Sequence, residues 1–315
     1  MIDDHGRNIN YLRISLTELC NLRCTYCMPA EGVPKKKHED MFTWEEYLAA
    51  IRSAISLGIT KVRLTGGEPL VKHGIVQLCG KIAALPGLEE VCLTTNGTLL
   101  PKYAKGLKEA GVDRLNISID TLDPEKYKKI TRLGNLEDAL AGIAAAKEAG
   151  FENTKINVVL MKGLNDDEVR DFVNLTKEED LEVRFIELMP IGEGIGSNQY
   201  MSGEEVLDAV PELKSLSRTD GVASLYALPG AKGRVGLIKP VSCNFCEDCN
   251  KIRLTADGNL KPCLHSGEEI PLKGLEEQEM KEKMRQTILE KPGKREELDG
   301  DHPSHAARRM NQIGG

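Results

Sequence analysis

Two features of secreted and membrane proteins are missing from this sequence. The N-terminal stretch MIDDHGRNIN is polar and acidic, without the cationic start and apolar stretch of a signal peptide. No run approaches the roughly 18 apolar residues of a membrane span. We therefore expect a cytoplasmic protein with no membrane partner. Thiols stay reduced in that compartment, so clustered cysteines are more often metal ligands than disulfide partners.

A surplus of positive charge is missing as well. The 315-residue chain has 49 acidic residues against 42 lysines and arginines, a formal net charge of −7. This balance argues against nucleic acid as a partner. An anionic ligand would need a local cluster of lysine and arginine. The length and a hydrophobic content of 40% fit one barrel-sized domain, alone or with a small appendage.

The first two thirds of the chain alternate between short apolar runs and helical patterns. Six runs have strand character: YLRISL (11–16), KVRLT (61–65), EVCLTT (90–95), RLNISI (114–119), KINVVLM (155–161) and EVRFIEL (182–188). The helical segment after the first run opens with a capping box of Thr43 and Glu46. This alternation predicts βα units and a parallel sheet, as an open doubly wound sheet or an incomplete βα barrel. In both, chemistry lies at the C-terminal ends of the strands.

Beyond about residue 220 the pattern changes to short strands, turns and four cysteines in RVGLIKPVSCNFCEDCNKIRLTADGNLKPCLHSG. We predict two domains, 1–222 and 223–315, with a helix around 276–290 in the second. Asp257-Gly258 is a signal for a two-residue hairpin turn. A turn flanked by Ala256 and Asn259 would place Cys263 opposite Ile252, near the other cysteines.

Three cysteines crowd the stretch LTELCNLRCTYCMP after the first strand: Cys20, Cys24 and Cys27. A fourth ligand is absent nearby, because the next cysteine is Cys79 and KKK separates the loop from His38. A structural zinc site takes four ligands, and a disulfide would leave one thiol unused. A 4Fe-4S cluster on three cysteines leaves one iron open to another ligand.

The stretch CNLRCTYC resembles the signature of radical S-adenosylmethionine (SAM) enzymes. LTGGEPL after the second strand is similar to the family's glycine-rich turn, which meets the amino group of SAM. The resemblance implies that Gly66, Gly67 and Glu68 contact SAM and that the open iron chelates its amino and carboxylate groups. It also implies cleavage of SAM to methionine and a 5′-deoxyadenosyl radical.

Four cysteines form a second group: Cys243, Cys246, Cys249 and Cys263. By spacing alone they fit a closed zinc site or a closed cluster. The stretch FCEDCNKIRLTADGNLKPCL resembles the C-terminal motif of the molybdenum cofactor biosynthesis protein A family. The resemblance implies a second 4Fe-4S cluster on Cys246, Cys249 and Cys263, with its fourth iron open to the guanine of GTP. It leaves Cys243 outside the motif.

Four strand candidates contain a cation: Arg13, Arg63, Lys155 and Arg184. A charge in a core strand is costly unless it is paired or functional, and four on one sheet favour a shared anionic ligand. The resemblance implies contacts to GTP from a larger set: Arg13, Arg63, Thr94, Lys155, Lys251, Ile252 and Arg253. We extend that set to Arg184. It further implies SAM contacts from Tyr26, Ser118 and Met189, and a C-terminal tail, Gly314-Gly315, that enters the active site.

Taken together, the resemblance implies an incomplete six-unit, TIM-like radical SAM barrel with a small C-terminal α+β domain that carries the second cluster. The implied activity is that of a GTP 3′,8-cyclase, a lyase that forms (8S)-3′,8-cyclo-7,8-dihydroguanosine 5′-triphosphate at the start of molybdenum cofactor biosynthesis. The implied partners are cyclic pyranopterin monophosphate synthase downstream, an electron donor such as flavodoxin or ferredoxin, and a second copy in a homodimer. Two alternatives stay open, a peptide-modifying radical SAM enzyme and a non-enzymatic zinc protein.

Overall fold

A mixed sheet runs through this computed structural model, which describes residues 1–216, 222–298 and 302–314. The predicted tail residue Gly315 lies outside the described residues. In chain order the strands are β1 Tyr11–Ser15, β2 Lys61–Thr65, β3 Glu90–Thr95, β4 Arg114–Ser118, β5 Lys155–Leu160, β6 Glu182–Glu187, β7 Lys214–Ser215, β8 Ser224–Ala227, β9 Arg234–Ile238, β10 Lys251–Leu254, β11 Asn259–Lys261 and β12 Ile270–Pro271. Their order across the sheet is β12-β11-β10-β1-β2-β3-β4-β5-β6-β9-β8-β7.

α-Helices follow the strands of the parallel part as predicted. They are α1 Trp44–Ser56, α2 Ile75–Ala83, α3 Leu100–Glu109, α4 Pro124–Thr131, α5 Leu136–Glu148, α6 Val169–Glu178, α7 Glu204–Ala209, α8 Glu277–Leu289 and α9 Met310–Ile313. α8 packs against α1, and the short α9 lies at a cavity. Short 3₁₀ turns occur at His38–Asp40, Pro69–Val71, Asp166–Glu168, Gly192–Gly194 and Cys246–Asp248. Within the described ranges, no helix is both long and apolar enough to cross a membrane.

The six predicted strands are confirmed as β1 to β6, each ending within one residue of its predicted position. All of their pairings are parallel and follow chain order. The capping box is also confirmed, since the Glu46 amide donates to Thr43 Oγ1 at 3.2 Å and the Thr43 amide to Glu46 Oε2 at 2.8 Å. This is the six-unit parallel sheet of an incomplete βα barrel.

The C-terminal part of the chain extends the same sheet at both ends. β9 pairs parallel with β6, and β10 pairs parallel with β1. The connection from β9 to β10, which carries three of the second group of cysteines, therefore crosses from one end of the six-stranded sheet to the other. The predicted division after residue 222 stays a prediction, but strands on both sides of it share this sheet.

The predicted hairpin register at Asp257-Gly258 is wrong by one residue. Arg253 pairs with Lys261 and Leu254 with Leu260, so the loop is longer than two residues. Gly258 has a φ of +82°, the left-handed conformation that ends a three-residue hairpin loop. The Asp257 carboxylate accepts from Thr255 Oγ1 at 2.6 Å, which stabilises this longer loop.

Candidate active site

A cavity of about 770 Å³ lies inside the curved sheet and is lined by residues of both cysteine groups. The first group follows the C-terminal end of β1. Three cysteines of the second group precede the N-terminal end of β10, whose first residue pairs with Tyr11 at the start of β1. Cys263 follows β11, which is antiparallel to β10. Because β1 and β10 are parallel, the two groups lie at opposite ends of the strands. The cavity therefore connects two separate sets of sulfur ligands.

Cys20, Cys24 and Cys27 all line the cavity. A helical turn orders the loop, with the amides of Cys27 and Met28 donating to the Cys24 carbonyl at 2.9 and 3.2 Å. The Leu22 amide donates to Cys20 Sγ at 3.3 Å. Burial raises the pKa of the Cys20 thiol to about 11 and that of Cys27 to about 12. Three thiols from one short loop that line the same cavity fit an iron–sulfur cluster.

The glycine-rich turn after β2 packs directly on the chain just before Cys20. The Gly67 amide donates to the Thr17 carbonyl at 2.7 Å and the Glu68 amide to the Leu19 carbonyl at 2.8 Å. A Cβ on Gly66 would lie 2.6 Å from the Thr17 carbonyl oxygen, so the contact requires glycine. Gly66 and Gly67 line the cavity, as predicted for a turn that meets a ligand.

Glu68 itself does not line the cavity. Its buried carboxylate accepts from the Leu70 amide at 3.0 Å, Thr95 Oγ1 at 2.8 Å and the Asn96 amide at 2.7 Å. Burial raises its pKa to about 7. In this structure Glu68 holds the turn after β2 against the loop after β3, and its predicted contact with SAM stays a prediction.

The other predicted SAM residues, Tyr26, Ser118 and Met189, line the cavity together with the first cysteine group. Tyr26 donates its hydroxyl to Asp120 Oδ2 at 2.8 Å, and the Val159 amide donates to Asp120 Oδ1 at 2.9 Å. Burial raises the pKa of Asp120 to about 6. The sequence pattern did not indicate Asp120, which follows β4 two residues after Ser118.

Three arginines stand side by side on neighbouring parallel strands. Arg253 on β10 pairs with Arg13 on β1, which pairs with Arg63 on β2. Adjacent strands lie about 4.8 Å apart, and like charges in direct register are destabilising without a counter-charge. Burial, with the neighbouring Arg253 and Arg63, lowers the pKa of Arg13 to about 9. The arginine row therefore concentrates positive charge on one side of the cavity.

A second row lies two residues earlier on the same strands, with Tyr11 between Lys251 and Lys61. The Lys61 and Lys251 ammonium groups lie 5.1 and 5.5 Å from the centre of the Tyr11 ring. The Tyr11 hydroxyl accepts a short hydrogen bond from Arg63 Nε. Tyr11 and Lys61 line the cavity but were not predicted. Alternation along a strand places them on the face of Arg13 and Arg63 and could have found them.

The opposite side of the cavity carries Lys155 and Arg184. Lys155 Nζ lies 2.9 Å from Glu182 Oε2, and the same carboxylate accepts from Arg184 and from Arg234. Although burial works against it, Arg184 and Lys155 lower the pKa of Glu182 to about 2. Burial and the Arg184 charge lower the pKa of Lys155 to about 7. Three cations share one carboxylate, so positive charge remains in excess.

The lining as a whole is strongly cationic. Eleven lysines and arginines face four acidic residues in it, although the chain carries a net charge of −7. Thr94 also lines the cavity, and its Oγ1 accepts from Arg63 Nη1 at 3.3 Å. The predicted local concentration of cations in an acidic protein is therefore present, and the structure brings all seven predicted polar GTP residues to one cavity.

In the second cysteine group, Cys246, Cys249 and Cys263 line the cavity, whereas Cys243 is exposed and outside the lining. Burial of Cys249 favours its neutral thiol, but the charges of Lys291 and Lys251 outweigh burial and lower the pKa of Cys249. Three thiols beside buried cations fit a second cluster. Ile252 does not line the cavity, because its side chain is buried in the apolar core, and its predicted contact with GTP stays a prediction. Over the described ranges, no three His, Cys, Asp or Glu residues are placed to hold a single metal ion.

The C-terminal tail reaches the arginine row. Arg13 Nη2 and Arg253 Nη1 donate to the Gly314 carbonyl at 3.2 and 2.9 Å. Gly314 has a φ of +68°, and a Cβ there would overlap Thr65 Oγ1. Upstream, Arg308 anchors the tail through ion pairs with Asp257, Glu269 and Glu18.

Comparisons with known proteins agree with this geometry. The sequence profile described as Radical SAM superfamily matches residues 14–176, and Molybdenum Cofactor Synthesis C matches residues 181–298. The fold, the three-cysteine loop and the first profile define a radical SAM protein.

Curated relatives narrow this class, and by their identity the chain belongs to the GTP 3′,8-cyclase family. The GTP 3′,8-cyclase of Alkaliphilus oremlandii is 48% identical over 321 residues, covering 100% of both chains. That of Peptoclostridium acidaminophilum is 51% identical over 279 residues, 87% of this chain and 86% of the relative.

Solved structures share the fold at low sequence identity. SuiB of Streptococcus suis bound to S-adenosylmethionine has a TM-score of 0.62 and 16% identity, over 84% of this chain and 63% of SuiB. Native anSMEcpe with bound AdoMet has a TM-score of 0.59 and 19% identity, over 90% of this chain and 81% of that one. These likenesses confirm the radical SAM fold.

Proposed function

We propose that this protein is a GTP 3′,8-cyclase that uses SAM and two 4Fe-4S clusters. One observation carries the proposal: two sets of three cysteines and a double row of cations face the same cavity. Full-length identity of 48% to a curated GTP 3′,8-cyclase supports it. The product would be (8S)-3′,8-cyclo-7,8-dihydroguanosine 5′-triphosphate, at the first step of molybdenum cofactor biosynthesis.

Cys20, Cys24 and Cys27 would hold the first cluster, where bound SAM supplies the radical chemistry. The backbone of Gly66 and Gly67 would bind the methionine part of SAM, because both glycines line the cavity without a side chain of their own. Tyr26, Ser118 and Met189 would complete the SAM site. Glu68 would position the glycine turn through its three hydrogen bonds.

The triphosphate of GTP would bind the cationic rows between the two cysteine sets. Arg13, Arg63 and Arg253 offer planar donor groups suited to phosphate oxygens. Lys155, Arg184, Thr94 and Lys251 would extend this binding surface. Cys246, Cys249 and Cys263 would hold the second cluster near the guanine. The described tail residue Gly314 contacts two of these arginines and would close the site against water.

A direct assay tests this function. The reconstituted protein is incubated without oxygen with SAM, dithionite and GTP. We expect a cyclised nucleotide and a yield of 5′-deoxyadenosine that GTP increases. Equal 5′-deoxyadenosine with and without GTP, and no cyclised nucleotide, would contradict the substrate. A colourless, zinc-loaded protein after anaerobic purification would contradict the enzyme itself.

Two matched triple variants separate the cysteine sets in the same assay. Replacement of Cys20, Cys24 and Cys27 by alanine should abolish 5′-deoxyadenosine formation. Replacement of Cys246, Cys249 and Cys263 by alanine should abolish the cyclised nucleotide and leave SAM cleavage in the absence of GTP. If both variants behaved alike, the separate roles assigned to the two sets would be wrong.

Family membership also supports the predicted partners and location as proposals. The product would pass to a cyclic pyranopterin monophosphate synthase, and electrons would come from a flavodoxin or ferredoxin. The protein would work in the cytoplasm as a homodimer. Measurement of its mass in solution tests whether it is a dimer.

A further inference from the structure

Arg7 is a buried arginine that belongs to none of the sequence motifs. All five of its guanidinium N–H donors are used. Nε donates to Asp3 Oδ2 at 2.6 Å, and Nη1 donates to the carbonyls of Cys246 at 2.9 Å and Gly293 at 3.3 Å. Nη2 donates to the carbonyls of Lys291 at 3.0 Å and Pro292 at 2.9 Å. One side chain thus joins three parts of the chain: the N-terminal arm before β1 (residues 1–10), the second cysteine group and the segment after α8.

The segment Lys291 to Arg295 also contacts the second cysteine group and its neighbour Pro262. The Arg295 amide donates to Cys246 Sγ at 3.4 Å. The fully buried Lys291 Nζ donates to the Pro262 carbonyl, next to Cys263, at 2.6 Å. One short segment is therefore bonded to Cys246 and to Pro262, the residue before Cys263, and Arg7 donates to three carbonyls of that segment.

The N-terminal arm is held in a tight turn and packs closely against this segment. The Arg7 amide donates to Asp3 Oδ1 at 2.8 Å, so the ion pair lies within a tight turn. A Cβ on Gly293 would lie 2.7 Å from the His5 ring, which shows how closely the arm and the segment approach. Loss of the guanidinium would leave four carbonyls and a buried carboxylate without this partner, at a cost for each group.

We propose that Arg7 is a positioning residue for the second cluster: it fixes the segment Lys291 to Arg295 against Cys246 and so keeps Cys246 and Cys263 at a constant separation. This rests on the proposed function only in that Cys246, Cys249 and Cys263 hold a cluster. Arg7 contacts no cysteine sulfur and does not line the cavity. Its effect is therefore on the geometry and retention of the cluster.

The test uses the two full-length triple variants as backgrounds. The chain with Cys20, Cys24 and Cys27 replaced holds only the second cluster, and the chain with Cys246, Cys249 and Cys263 replaced holds only the first. Arg7→Ala is added to each, and iron release to a chelator is followed without oxygen. In the second-cluster background, release should accelerate by about tenfold or more. In the first-cluster background, the rate should not change.

Equal acceleration in both backgrounds would mean that Arg7 only stabilises the fold, and no acceleration in either would mean that it does not hold the cluster. Both results overturn the proposal. Arg170→Ala is the matched control, because Arg170 also bonds a carboxylate and a carbonyl but lies on the exposed face of α6. It should change neither rate.

A milder variant covers the case in which Arg7→Ala does not fold. Arg7→Lys keeps a charge for Asp3 but cannot bond four carbonyls, so it should give an intermediate rate and an altered electron paramagnetic resonance spectrum of the reduced second cluster. An unaltered rate and spectrum would contradict the proposal. If the second-cluster background binds no iron even with Arg7 present, the proposed cluster itself is wrong.

Discussion

At the scale of the residue, the main feature of the site is a row of like charges in register on neighbouring strands. Arg253, Arg13 and Arg63 occupy paired positions on three neighbouring strands. A sheet tolerates such a row only where hydrogen bonds or a ligand offset the repulsion. The Tyr11 hydroxyl and the Gly314 carbonyl contribute part of that compensation. Under the proposed function, the triphosphate of GTP would add to it.

The first prediction concerns Lys155, whose pKa is lowered to about 7 by burial and Arg184. A bound triphosphate would raise this pKa, so binding favours the protonated lysine. GTP affinity should therefore be highest below pH 7 and fall as the pH rises through 7. Calorimetry at pH 8, in buffers that differ in ionisation enthalpy, should show proton uptake, and Lys155→Arg should reduce it by about one proton.

The matched control for this experiment is Lys162→Arg, because Lys162 is an exposed lysine paired with Glu205 on the surface. It should leave the uptake unchanged. An uptake that is the same in Lys155→Arg and in the unaltered protein would show that Lys155 is already charged before GTP binds.

At the scale of the element, local signals place the helices and strands. The capping box of α1 is an example, since both of its hydrogen bonds lie within four residues of sequence. Strand ends were also predictable to within one residue, because alternation and turn residues are local. The hairpin at Asp257-Gly258 was not, because a glycine in the left-handed conformation permits more than one loop length.

The second prediction tests the cap of α1. Thr43→Ala removes the oxygen that accepts from the Glu46 amide, and the free energy of unfolding should fall by about 1 kcal/mol. Urea denaturation of the cluster-free protein measures the change. Thr43→Ser keeps the oxygen and should recover most of the loss. If the serine variant were as unstable as the alanine variant, the lost methyl group and not the cap would be responsible.

At the scale of the whole molecule, residues near both ends of the described chain contact the site. The N-terminal arm fastens the second cysteine group through Arg7. The C-terminal tail places the Gly314 carbonyl on Arg13 and Arg253. Arg308 links this tail to the hairpin loop and to Glu18, two residues before Cys20. The cavity therefore depends on contacts between residues hundreds of positions apart.

The third prediction concerns the tail. A methyl group at Gly314 would overlap Thr65 Oγ1 at a backbone conformation that favours glycine, so Gly314→Ala should displace the tail. Displacement by about 1 Å is enough to lower turnover by about a hundredfold where groups must be aligned. We expect formation of the cyclised nucleotide to fall by at least about tenfold, and proteases to cut the tail faster.

Gly274→Ala is the control for backbone strain. Gly274 has a similar φ of +74°, but a Cβ there would meet no atom within 4 Å. It should leave turnover and the rate of tail cleavage unchanged. Normal turnover in Gly314→Ala would show that the position of the tail does not matter for the reaction.

The sequence by itself determined the strands, the helices and the two cysteine sets, because each depends on neighbours within a few residues. It also indicated the cations on the strands, which a single alternating pattern reveals. Only the tertiary structure decided which of them stand together, since Arg253 is 240 residues from Arg13 and meets it through strand order. The tertiary structure also decided that Glu68 accepts from protein donors, that Tyr11 lies between two lysines, and that Arg7 donates to the segment after α8. These pairings arise from sheet register and loop closure. Both depend on residues that are far apart in the chain.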